Sequence, residues 1–149
     1  MINDQIKLSG NLDIVVRDSS GNVKEERKEK NLVVTAGLGY IASRIKDASA
    51  TAMTHMAVGS GTTAAAAGQT DLVSILGSRE ALDSTSVSGA VVTYVSSFEA
   101  GDGTGAITEA GIMNASSGGT MLCRTVFSAV NKAADDTMTI TWTITLSAS

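Results

Sequence analysis

From Thr137 to Leu146 the chain alternates threonine with a large apolar side chain without a break. A period of two puts the two sets on opposite faces of a β-strand, with Met138, Ile140, Trp142, Ile144 and Leu146 inward and the threonines outward. The β-branch of threonine suits the pleated outer surface. Shorter segments of similar character predict strands over 12–17, 23–30, 53–58, 78–82, 91–99, 106–113 and 120–130, separated by clusters of turn formers such as Asp18-Ser19-Ser20-Gly21-Asn22. The period changes at Leu38, Ile41, Ala42 and Ile45, whose spacing predicts one short helix over 35–47 with Thr35 as its N-cap. Thr70 is expected to cap a single further helical turn reaching Ile75, and Ser84 to Gly89 to form the turn of a second hairpin.

Eight strands with turns every ~8 to 12 residues predict an all-β fold, a two-sheet sandwich. An eight-stranded jelly roll is the leading arrangement and a seven-stranded immunoglobulin-like sandwich the alternative. The first two strands form an N-terminal hairpin. Its second arm, Lys24-Glu25-Glu26-Arg27-Lys28-Glu29-Lys30, has almost no apolar face. That composition suits an edge or a projecting ribbon guarded by charge, and a short solvated helix is its rival. At 149 residues the chain reads as a single domain, 1–149, with 1–30 as a hairpin or arm.

Composition changes this picture at the surface. Charged residues make up 17% and aromatics 3% of the chain, against about 25% charged in average proteins. Such a bland surface is accounted for if much of it is buried between subunits, so a homo-oligomer is expected. Its natural contact is the outer threonine face, with Thr139, Thr141 and Thr143 as the oligomer-face candidates. The net charge is −4, with eight Lys or Arg against six Asp or Glu up to Lys46 and three against nine beyond it. The larger, acidic part lacks the clustered cations that phosphate backbones require, so no nucleic-acid partner is expected. No segment approaches the ~20 apolar residues of a spanning helix and none resembles a signal peptide, so no membrane partner is expected and the chain should be soluble.

Candidate chemistry is sparse. Gly59-Ser60-Gly61-Thr62-Thr63 lacks the lysine of a phosphate-binding loop and reads as a glycine-rich strand end. Gly101-Asp102-Gly103-Thr104-Gly105 offers one carboxylate, too few for calcium, and reads as a turn. His55 is the only histidine and Cys123 the only cysteine. This excludes a histidine zinc cluster and an intrachain disulfide, and leaves Cys123 as a small hydrophobe. Asp135 and Asp136 read as turn residues. Glu109 is either a buried partner for Arg124 or the solvent face of its strand, and the solvent face is favoured. No catalytic, cofactor-binding or metal-binding residue is assigned. Lys24, Arg27, Lys28 and Lys30 are the candidates for contact with a partner through ion pairs.

Five segments in order carry a resemblance. They are Asn31-Leu32-Val33-Val34-Thr35-Ala36-Gly37, Met56-Ala57-Val58-Gly59-Ser60-Gly61-Thr62-Thr63, Ile107-Thr108-Glu109-Ala110-Gly111-Ile112-Met113, the run from Leu122 to Lys132, and the threonine ladder. Together the chain from Asn31 to Ser147 resembles virion structural proteins of tailed bacteriophages. The resemblance implies a non-enzymatic protein without cofactors, made in the host cytoplasm and located in the virion. Two placements follow: a capsid decoration (cement) protein on the capsid exterior, or a tail or tail-fibre component with a receptor- or glycan-binding role. The capsid is preferred, because the chain has no coiled coil, repeat or collagen-like tract to build a fibre, and few aromatics for a sugar. The resemblance further implies a homotrimer bound to the major capsid protein.

Overall fold

The alternating threonine segment is the middle strand of a five-stranded antiparallel sheet in the computed structural model, which describes residues 4–148. In chain order the elements are β1 (Ile6–Arg17), β2 (Val23–Lys30), β3 (Leu32–Val33), α1 (Thr35–Lys46), β4 (His55–Gly59), β5 (Glu80–Ala81), β6 (Ser84–Ser88), β7 (Val91–Phe98), β8 (Gly105–Met113), β9 (Met121–Lys132) and β10 (Thr137–Ala148). One sheet runs β2-β1-β10-β7-β6 and the other β3-β9-β8-β4-β5. The fold is thus an all-β two-sheet sandwich with one helix and an N-terminal hairpin.

The two inner faces build one core. Leu12, Ile14, Phe98 and Trp142 come from the first sheet, and Met56, Val58, Ile107 and Ile112 from the second; all are fully buried or nearly so. Trp142 fills the centre, held between Leu12 and Tyr94 by the register of β10 with β1 and β7. The second sheet is covered on its outer face as well. There Ala57, Met113 and Met121 pack with Val34, Ala36 and Leu72, beneath the start of α1 and the long irregular segment between β4 and β5.

Ten strands replace the eight expected. The additions are β3 and β6: β3 is a two-residue pairing, too short for alternation to register, while the strand expected over 78–82 is present as β5, shortened to Glu80–Ala81. β6 lies where a turn was expected, because an edge strand with every residue exposed has no hydrophobic pattern to betray it. Its reversal into β7 is only Gly89-Ala90, with Gly89 at φ 58, a conformation that favours glycine in a two-residue hairpin. β5 pairs with β4 and not with β7, so the second hairpin is β6–β7. The first and last long strands pair within one sheet, and β8 and β9 are neighbours in the other.

Two helical expectations are corrected. Thr35 is the first residue of α1 and not its cap; Val34 occupies the cap position without a side-chain bond, and the Thr35 N–H donates to Ala67 O at 2.8 Å. A tertiary contact thus satisfies one of the first N–H groups of the helix, which have no partner within it. No helical turn forms after Thr70. The N–H groups of Val73 and Ser74 bond instead to the Glu109 carboxylate.

Candidate functional site

Glu109 and Arg124, on adjacent strands, form a fully buried ion pair on the outer face of the second sheet, with Arg124 Nη2 2.7 Å from Glu109 Oε2. The expectation of a solvent face for Glu109 is therefore corrected. A register shift between Ile107 and Glu109 turns them to opposite faces, and the β4–β5 segment then roofs Glu109 over. Glu109 Oε1 accepts from Gly61 N–H at 3.0 Å and Ser74 N–H at 2.7 Å. Its Oε2 accepts from Val73 N–H at 3.0 Å and from Arg124 Nε at 2.9 Å. Arg124 Nη1 donates onward to Thr63 O and to Gln69 Oε1, each at 2.9 Å.

Burial by itself would raise the pKa of Glu109. The N–H groups of Ser74 and Val73 and the Arg124 guanidinium outweigh it, and hold the carboxyl below its ordinary range. With both oxygens saturated and neither partner exposed, the couple fastens the long segment to the sheet and offers no proton to a substrate. The glycine-rich run after β4 takes its meaning here. A Cβ on Gly61 would lie 2.5 Å from Glu109 Oε1, and one on Gly59 would lie 2.4 Å from Ser74 O. The run does cradle an anion with a backbone N–H, and the anion is the chain's own carboxylate.

The threonines of β10 face outward as expected. Thr139 is exposed, and Thr141 and Thr143 are half-covered by their neighbours. In register beside them stand Thr93, Val95 and Ser97 of β7, then Ser84 and Ser86 of β6. Across β10, β7 and β6 this outer face carries no charged side chain. In the sequence only the β10 row is legible as such a face. The serines of β6 lie in a segment whose composition predicts a turn.

β2 is an edge strand laid on β1, not a projecting ribbon or helix. Its inward residues Glu25, Arg27 and Glu29 are charged, which closes the sandwich edge to further strands. Arg27 Nη2 pairs with Glu25 at 2.6 Å, and Nη1 donates to Ser128 O at 2.9 Å on the opposite sheet. Lys24 pairs with the buried Asp136 at 2.6 Å. Lys28 stands 3.4 Å from Asp13 with both side chains largely exposed, and Lys30 is exposed at the strand end. Of the four candidate partner cations, two are engaged within the fold and two face solvent.

The remaining candidates fall apart as sites. His55 Nδ1 lies 2.8 Å from Thr54 Oγ1 in β4, and Cys123 is buried in the core, where desolvation pushes its thiol pKa well up. Asp136 caps its turn by accepting from Ala133 N–H at 2.8 Å. Among the described residues no three His, Cys, Asp or Glu side chains converge to hold a metal ion, and no helix is long and apolar enough to cross a membrane. Neither a protein-family model, a curated protein nor a solved structure matches the chain.

Proposed function

We propose that this chain is a non-enzymatic structural protein of a tailed-bacteriophage virion: an outer capsid decoration, or cement, protein that binds as a homotrimer between subunits of the major capsid protein. The observation that carries the reading is the uncharged Ser/Thr/Val face spread over β10, β7 and β6. Such a face packs on another protein surface without stripping water from ions, which is the largest penalty in burying polar surface. The order of the five sequence segments supports the same reading.

In this mechanism the protein binds the assembled shell and not its separated subunits. Its binding free energy is then added to shell stability by mass action, as for any ligand of one state alone. Lys28 and Lys30 lie on the same side of the sheet across β1 from the uncharged face, where exposed charges set approach and register more than affinity. The test compares particles assembled with and without the protein. Genome release should occur at lower temperature without it, and equal heat resistance would remove the cement reading.

A further inference from the structure

The first sheet leaves part of its core face uncovered. Val87 of β6 stands in register with Val92 of β7, which in turn faces Ile144 of β10, so alternation assigns all three to the inner face. Ile144 is buried, yet Val87 is 70% exposed. At this corner α1 lines the cleft opposite the exposed strip. The result is an apolar cleft of about 420 Å³ between α1, β6, β7 and the start of β9. That volume is in the range of sites for small organic ligands.

Tyr40, Arg44, Thr85 and Tyr94 are the polar residues of its lining. Tyr94 is only 6% exposed, yet its hydroxyl makes no hydrogen bond among the described residues and opens on the cleft. Desolvation raises its pKa far above the ordinary value, so it remains a neutral donor. Arg44 of α1 lines the mouth; it donates to Ala50 O at 3.0 Å and has no carboxylate partner among the described residues. Apolar walls, tyrosine hydroxyls free to donate and one cation without a carboxylate partner at the rim are complementary to a molecule with an aliphatic body and an anionic head.

We propose that this corner of the sandwich is a binding site for an amphipathic carboxylate, its aliphatic chain along Val87, Val92 and Ile144 and its head between Tyr94 and Arg44. The site stands independently of the virion reading. Its chemistry differs from the uncharged outer face, since here affinity depends on the sign of the ligand's charge.

Decanoate titrated calorimetrically into the full chain should bind saturably at one site per chain. Decyltrimethylammonium, with the same tail and the opposite charge, should bind at least about tenfold more weakly. Tyr94→Phe, which keeps the ring, and Arg44→Ala, on an exposed helix position, should each weaken decanoate about tenfold, the loss expected for a hydrogen bond to a charged group. Val87→Trp, placed at the open wall, should block both amphiphiles. Equal affinity for the two amphiphiles, or variants that bind as the parent does, would overturn the proposal. So would a dimer in sedimentation equilibrium that Val87→Lys dissociates, because the corner would then be filled by a second copy.

Discussion

Trp142 Nε1 donates a 2.7 Å hydrogen bond to Asn31 Oδ1. Asn31 is the single residue between β2 and β3, where the chain leaves one sheet for the other. The bond therefore ties the crossover to the centre of the core. Gly10 makes room for it: a Cβ there would lie 1.6 Å from Asn31 Oδ1, and Gly10 O accepts from Asn31 N–H at 3.1 Å.

Removing the acceptor by Asn31→Ala leaves a buried indole N–H unpaired, at a cost of about 1–3 kcal/mol. Gly10→Ala should cost a similar amount by displacing the Asn31 side chain. Because both act on one tie, the double variant should be little worse than either single one. Urea midpoints of the four proteins check this, and full additivity would show that Gly10 and Asn31 act separately.

Arg124→Met leaves the Glu109 carboxylate buried without its cation and should cost about 3–5 kcal/mol. Glu109→Met in the same chain should not restore that loss, because the N–H groups of Gly61, Val73 and Ser74 are then left without their acceptor. The same variants report on the roof. Amide exchange at Gly61, Val73 and Ser74 should accelerate in Glu109→Met, since these N–H groups lose their acceptor. Unchanged protection there would detach the segment from the ion pair.

Acid should weaken the fold through the same groups. Glu109 is held low by Ser74, Val73 and Arg124 against the opposing effect of its burial; Asp136 is held low first by its hydrogen bond to Lys24 and then by Ala133 N–H. A carboxylate whose folded pKa is depressed stabilises fully above its unfolded value, about 4, and loses that contribution as pH falls through the folded value. Urea midpoints should therefore be flat from pH 7 to about 5 and fall below about 4. Glu109→Gln should start lower and fall less steeply. Parallel curves for parent and variant would assign the acid loss to other groups.

Alternation made the core strands legible, because Met138, Ile140, Trp142 and Ile144 leave a period-two trace. Ser84–Ser88 left none: its partner β7 supplies the apolar side chains, and an exposed edge needs few of its own. The Glu109–Arg124 pair was legible only as one of two alternatives. Its burial depends on a bulge at Thr108 and on a segment far along the chain that folds back over it. Gly59 and Gly61 were the available signal, since glycines paired across one polar residue beside a strand end mark a close backbone approach. The Val87 cleft was not legible at all, because periodicity reports which face a residue takes and not whether another element covers it.

The outer face of β10 tests the assembly. Thr139, Thr141 and Thr143 point away from the core, so lysines there should change the stability of the isolated fold by no more than about 0.5 kcal/mol each. The triple substitution should nevertheless convert the proposed oligomer to monomer, since it sets three cations in a contact whose β10, β7 and β6 strands carry no charge. The single variants should rank by their neighbours. Thr141 stands opposite Asp13, which can pair with a lysine, whereas Thr143 lies between Asn11 and Thr93, which cannot neutralise it. Thr143→Lys should therefore dissociate the oligomer at higher protein concentration than Thr141→Lys does, as read by sedimentation equilibrium. An assembly that survives all three lysines does not use this face.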